Sequence, residues 1–165
     1  MKRIGLLSDT HGYLDQSILN YLSECDEIWH AGDIGNIALA DTLSSVKPLK
    51  AVYGNIDGQD VRIVHPKDLV FRCEDVSVFM THIGGYPGKY NFQTYEKLKR
   101  NKFDIFICGH SHILKIIYAK HFKLLHINPG AAGKHGFHQI RTLVRFSIDK
   151  KEIKDMQVIE LGKRG

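Results

Sequence analysis

The 165-residue sequence predicts an α/β fold in which two β-sheets pack face to face with helices outside. Two observations carry this expectation. The first third of the chain alternates apolar runs of strand length with segments of helical periodicity, a βαβαβ order that calls for parallel strands. From residue 68 onward the pattern turns to hairpins and short apolar strands, enough for a second sheet. With 43% hydrophobic and 25% charged residues, the chain can bury a substantial core as one domain spanning 1–165.

Taken in order, Ile4-Gly5-Leu6-Leu7 reads as a buried strand ending at Ser8-Asp9-Thr10-His11-Gly12. Leu14, Ile18, Leu22 and Cys25 recur at helical spacing, with Asp15 as N-cap or first-turn acid. Glu27–Ala31 is a second strand, ending at Gly32-Asp33. Asn36 caps a helix through about Val46, and Pro48 enforces the exit. Leu49–Tyr53 is a third strand, ending at Gly54-Asn55. Asp68–Cys73 and Val76–Met80 form a hairpin that runs into Thr81-His82. A glycine- and aromatic-rich loop, Gly84 to Tyr90, leads to a helix over 91–100. Phe103–Cys108 is a strongly apolar strand, ending at Gly109-His110-Ser111-His112. Two further strand pairs follow, Ile113–Ala119 with Lys123–Ile127 and Gln139–Ile148 with Ile153–Leu161, separated by the turn Asn128-Pro129-Gly130.

Composition narrows the functional classes. No apolar run reaches the ~20 residues of a membrane helix, and Met1-Lys2-Arg3 leads straight into the first strand with no leader pattern. The expectation is a cytoplasmic protein without a membrane partner. Cys25, Cys73 and Cys108 are widely spaced and set among apolar residues, so they read as small hydrophobes and not as a disulfide framework. The net charge of +5 permits nucleic acid as a partner, but no dense Arg/Lys stripe with interleaved aromatics supports it. Ten histidines are the more informative feature, because imidazole is the commonest metal ligand.

Five polar clusters stand at strand ends: Asp9/His11, Asp33, Asn55, His82 and His110/His112. In a parallel sheet the ligand lies beyond the carboxyl ends of the strands. If the strand direction persists, Asp9 and His11, two apart, point the same way. The clusters offer only oxygen and imidazole donors, and with Asp33 shared they supply four contacts to each of two cations. Mixed nitrogen and oxygen donors suit first-row divalent metals better than calcium. Gly32, Gly54 and Gly109 each precede a proposed ligand, where the lack of a Cβ lets the backbone approach closely.

The ordered series Asp-x-His, Gly-Asp, Gly-Asn, His, Gly-His-x-His, spanning residues 9 to 112, resembles the calcineurin-like metallophosphoesterase superfamily. Asn128-Pro129-Gly130 is similar to the short YfcE-type phosphodiesterase branch. The resemblance implies a four-layer α/β/β/α sandwich of two mixed sheets flanked by helices, with a dinuclear site at one end. It assigns Asp9, His11, Asp33 and His112 to one metal and Asn55, His82 and His110 to the other, with Asp33 bridging. Asp33, Asn55 and His82 are also the candidate catalytic residues. The expected cofactors are two divalent ions, manganese first, with iron, zinc, nickel or magnesium as alternatives. The implied reaction is phosphoester hydrolysis, most directly of a phosphodiester, by in-line attack of a hydroxide held between ions ~3.5–4 Å apart. A homo-oligomer is implied by the family alone.

One block departs from the wider family. Many members read Gly-Asn-His where this chain reads Gly-Asn-Ile56, so a histidine that assists the leaving group is replaced. Asp57 reads as a turn or supporting residue, not a substitute acid. Tyr86, Lys89 and Tyr90 are the candidate substrate contacts, with Lys134 and Arg141 ranked below them. His30 belongs to the core or to the back of the site; His65, His121 and His126 read as structural or exposed; His135 and His138 follow a glycine-rich loop that could approach the site, with surface placement the favoured reading. Two competing readings are a protein-interaction scaffold of the same fold, as in a eukaryotic retromer subunit, and a nuclease or nucleic-acid-binding module.

Overall fold

The computed structural model describes residues 1–165. Its elements are β1 (Lys2–Leu7), α1 (Gln16–Ser23), β2 (Glu27–His30), α2 (Ile37–Val46), β3 (Leu49–Ala51), α3 (Gln59–Arg62), β4 (Asp68–Cys73), β5 (Val76–Thr81), α4 (Phe92–Arg100), β6 (Ile105–Ile107), β7 (Lys115–Ala119), β8 (Leu124–Asn128), β9 (Ile140–Asp149) and β10 (Glu152–Lys163).

The period-2 alternation of the strands builds four layers. One sheet has the order β10-β9-β1-β2-β3 and the other β4-β5-β6-β8-β7. Each carries three parallel strands: β1 pairs with β2 and β2 with β3, while β5 pairs with β6 and β6 with β8. Antiparallel strands complete both sheets, so each is mixed. Ile4 and Leu6 of β1, with Trp29, meet Val78, Met80, Ile105 and Ile107 of the opposite sheet in a dry core. The other face of the first sheet packs Leu7 and Ile28 on Ile18, Leu22, Leu39 and Leu43 of α1 and α2. Phe79 and Phe106 of the second sheet pack on Leu98 of α4. This is the α/β/β/α sandwich anticipated from the sequence.

The helix starts follow the expected chemistry. Asp15, Asn36 and Asn91 each accept a hydrogen bond from the amide three residues on, and so cap α1, α2 and α4. Two boundaries differ. The turn Gln59–Arg62 is helical, held by the burial of Val61, where no helix was expected. The strand predicted from Ile113 starts at Lys115, because Ser111 Oγ accepts the Ile113 amide within the turn. No helix is long and apolar enough to cross a membrane.

Candidate metal centre

The carboxyl ends of β1, β2, β3, β5 and β6 gather at one end of the sandwich, and the chain leaves each through a polar loop. The strand alternation does not aim Asp9 and His11, contrary to expectation. Strand β1 stops at Leu7, and both residues adopt left-handed backbone, at φ 54° and 47°. Asp33 (φ 55°), His110 (φ 72°) and His112 (φ 62°) share that conformation. Each such residue costs on the order of 1–3 kcal/mol, so the neighbouring structure must impose it. Backbone bonds between loops do so: Asp9 N–H donates to Gly32 O, His11 N–H to Asp33 O and Gly12 N–H to Ile34 O. Close approach also requires two of the glycines. A Cβ on Gly54 would collide with the Asp33 carboxylate, and one on Gly109 with Ser8 Oγ.

Two groups of donors result. Asp9, His11 and His112 converge, and beside them Asp33, His82 and His110. Both carboxylates divide their oxygens in the same way. Asp9 Oδ2 accepts from Ser8 Oγ (2.7 Å) and from the His110 amide (3.1 Å), leaving buried Oδ1 without a hydrogen-bond partner. That Oδ1 faces Nε2 of His112 at 3.2 Å and Nε2 of His11 and His82 at 3.8 Å. Asp33 Oδ1 accepts the Ile56 amide (3.1 Å), while Oδ2 lies between Nε2 of His82 (3.2 Å) and Nε2 of His11 (3.4 Å). Asp33 therefore stands between the two groups.

The ring tautomers follow from the partners. His82 Nδ1 lies 2.8 Å from Ala31 O, which can only accept, so Nδ1 carries the proton. In the neutral ring, Nε2 then points a lone pair at two carboxylates. His138 Nε2 donates to Gly133 O (2.8 Å), leaving its Nδ1 to accept from His112 Nδ1 (3.3 Å). His112 Nε2 is thereby a lone pair aimed at Asp9. Acceptors facing acceptors in a buried site are satisfied by a proton on the ring or by a shared metal cation, and neither carboxylate has a Lys or Arg partner. Asp9 Oδ1, His11 Nε2 and His82 Nε2 are buried and unpartnered within the chain. These donors fit a divalent metal.

The titration behaviour of the bare site has the same cause. Burial opposes ionisation of Asp9, but the imidazoles of His11 and His112 that face it, together with His82 and the Ser8 hydroxyl, outweigh it and hold the carboxyl well below the usual range. Asp33 is lowered against the same penalty, chiefly by His82. Burial disfavours protonation of His82, yet Asp33 and Asp9 push its pKa above the ordinary imidazole value.

A family model described as the calcineurin-like phosphoesterase superfamily domain matches residues 1–151. The chain belongs to this superfamily. A protein of Methanocaldococcus jannaschii named "Probable metallophosphoesterase" is 28% identical over 134 residues, covering 78% of this chain and 67% of the relative. A solved archaeal phosphodiesterase superposes with a TM-score of 0.74 at 22% identity, covering 95% of this chain and 99% of that one. Vps29 of Chaetomium thermophilum superposes with a TM-score of 0.77 at 14% identity over 100% of both chains. At these identities the two structures show the fold alone. The family is one of metal-dependent phosphoesterases, and the two donor groups stand where the fold gathers its strand ends.

The remaining sequence candidates are distributed unevenly. Asn55 lies at the mouth of a cleft that it shares with His82. Tyr90 is turned away: its ring packs on Phe106 and its hydroxyl donates to His126 Nδ1 (2.8 Å). Tyr86 sits under the ammonium groups of Lys89 and Lys115, in a separate recess lined by Ser111 and Asn128. Arg141 is buried and structural, donating to Ala132 O and pairing with Asp15. Asp57 is the expected supporting residue, its carboxylate accepting the amides of Ile34, Gly35 and Gly54. Asn128 braces the histidine loop by donating to Gly109 O and Ser111 Oγ.

His135 is exposed, yet it stands at the site, and half-buried His138 departs from the surface placement. The His135 ring lies 4.7 Å from that of His11, and His138 fixes His112. Their glycine-rich loop is drawn in because Ala132 and Gly133 donate to Ser8 O and Asp9 O. His30 lies behind the site, accepting the Gly32 amide at Nδ1 and donating from Nε2 to Thr10 Oγ1. The cysteines are free and buried, with the Cys108 thiol pushed up to about 12 by burial.

Proposed function

We propose that the protein is a phosphodiesterase of the YfcE-type branch, working with two divalent metal ions, manganese first among them. Asp9, His11, Asp33 and His112 would hold one ion, and Asn55, His82, His110 and the shared Asp33 the other. The observation that carries this reading is the pair of carboxylate oxygens, Asp9 Oδ1 and Asp33 Oδ2, facing imidazole nitrogens with no internal cation between them. Such ions supply Lewis acidity toward phosphoryl oxygens and lower the pKa of coordinated water. The chain's own part is positional. Ala31 O fixes the His82 tautomer, His138 fixes that of His112, and the Ile56 amide orients Asp33. With the donors intact, an interaction scaffold of this fold is the weaker reading.

Ile56 bears on specificity. Its side chain is exposed and its amide is spent on Asp33, so this position offers no proton to a departing alkoxide. Leaving groups that depart as stable anions are favoured. Tyr86 and Lys89 remain candidates for contact with the substrate from the recess beside Ser111.

The test uses substituted aryl phosphodiesters with manganese, with a chelator, and with His82→Ala. Activity is expected to vanish in the chelator and the variant, and log kcat to fall steeply as the leaving-group pKa rises. Full activity in the chelator would end the metal reading, and a flat series would show that another residue protonates the leaving group.

A further inference from the structure

On the Asn55/His82 side the centre opens into a cleft of about 380 Å³. Its walls carry Arg62 from the end of α3, Lys67 from the following loop and Lys97 from α4. One carboxylate faces them, Asp68, and it already accepts from Thr81 Oγ1. Three cations against one carboxylate leave the cleft at +2 by simple count. Some cations elsewhere on the protein are neutralised: Lys50 and Lys2 meet Glu27, Arg145 meets Glu24, and Lys151 meets Asp104. None of Arg62, Lys67 and Lys97 has an acidic partner within 4.0 Å.

Two of these cations, Arg62 and Lys97, are also held in place. Arg62 donates from Nε to Asp57 O (2.6 Å) and from a terminal nitrogen to Asn55 O (3.2 Å), and its guanidinium lies 4.5 Å from the centre of the Tyr53 ring. Neutral carbonyls position the charge without cancelling it. The Lys97 ammonium stands 4.8 Å from the centre of the Phe79 ring, and that ring forms part of the wall. Gln93 and Thr94, in the first turn of α4, present the positive end of the helix to the same space. A cleft of one sign with apolar walls concentrates counter-charge.

We propose that this cleft binds a second anionic group of the substrate, a phosphate carried on one arm of the ester, while the scissile phosphate lies at the metal centre. The inference rests on the hydrolytic reading above and narrows it to small phosphodiesters with a further phosphate close by. Simple dialkyl or diaryl esters fill only half of the site. The three cations line one cleft of about 380 Å³, a volume that suits a small ligand.

The test compares thymidine 5′-(4-nitrophenyl phosphate) with the same ester phosphorylated at its 3′-oxygen. Both release nitrophenol, so the chemistry is constant and only the distal charge differs. The phosphorylated ester is expected to have a KM about tenfold lower. In the Lys67→Ala/Lys97→Ala double variant the ratio of the two KM values is expected to fall to about one, while Lys99→Ala, on the exposed face of the same helix, keeps it near ten. Equal KM values in the unaltered protein, or a ratio that survives in the double variant, would overturn the proposal.

Calorimetric titration of the protein as purified separates this failure from failure of the hydrolytic reading. Thymidine 3′,5′-bisphosphate is expected to bind about tenfold more tightly than thymidine 5′-monophosphate, with the difference lost in the double variant. That result without turnover of either ester would retain the anion subsite and remove the hydrolytic reading. Affinity that keeps rising along a series of longer oligothymidylates would identify a nucleic-acid strand as the ligand and overturn the small-molecule assignment.

Discussion

Asp9, His11 and His112 are braced from behind, whereas Asp33, His82, His110 and Asn55 stand at the edge of a cleft. In the first group Asp9 is fully buried and takes bonds from Ser8 and the His110 amide, and His112 is locked through His138 to Gly133 O. In the second, His82 is buried and fixed by Ala31 O, but His110 and Asn55 are exposed. Similar donors are thus given different support. In the proposed function the difference would separate two tasks, holding a cation firmly in one half and admitting a substrate at the other.

The severest way to break this division is to remove the carboxylate that stands between the two groups and that the proposed function has them share. Asp33→Asn is expected to lower kcat by about a thousandfold or more, roughly 4 kcal/mol in the barrier, and to reduce bound metal in both halves. Rates with a nitrophenyl phosphodiester and metal content by mass spectrometry would check it. One ion retained at full occupancy would show that Asp33 serves one half only.

Asp57 supports the second half through three amides, two of them on the Asp33 loop and one at Gly54. Asp57→Ala leaves buried donors unpaired and is expected to cost about 3 kcal/mol in urea unfolding of the metal-free protein. A loss within error of zero would mean that the loops hold themselves.

His30 joins the halves, accepting from the Gly32 amide and donating to Thr10. Burial lowers its pKa from 6.5 to about 4. The unfolded chain therefore binds the proton first, and stability present above the unfolded value is lost as pH falls through this window. At pH 5 the loss is about 2 kcal/mol relative to pH 7. His82 acts with the opposite sign, because its raised pKa adds stability as pH falls. Denaturation of metal-free protein at the two pH values, compared with His30→Gln, isolates the His30 share; an unchanged slope in the variant would refute it.

The mildest test concerns the brace on the first half. His138→Ala is expected to weaken metal affinity at the Asp9/His11/His112 group about tenfold, and His138→Gln, which can still accept from His112, to restore most of it. Equal weakening in both halves on metal titration would show a general loosening of the loop instead.

Much of this centre could be read from the chain. The apolar runs marked the strands, and Asp9, Asp33, Asn55, His82 and His110 each follow one closely. Asp15 and Asn36 announced their helices because a cap is a local event, and Asn91 proved to cap the third in the same way. His138 was placed at the surface because its partner is distant in sequence, and a loop histidine bears no mark of what the fold places beside it. Nothing in the sequence singles out Arg62, Lys67 and Lys97, for the same reason. Tyr90 was expected near substrate from composition; packing on Phe106 and the bond to His126 decided otherwise.

By itself the sequence determined the element types, the layer pattern and the chemistry available at the strand ends, because periodicity, capping and ligand type reside within a few neighbouring residues. The tertiary structure alone decided how those groups are aimed. It supplied the left-handed backbone at Asp9, His11, Asp33, His110 and His112, the histidine pair behind the first half and the unpaired cations beside the second. Conformations that cost energy locally persist only where bonds from distant loops hold them, and those bonds exist only once both sheets are in place.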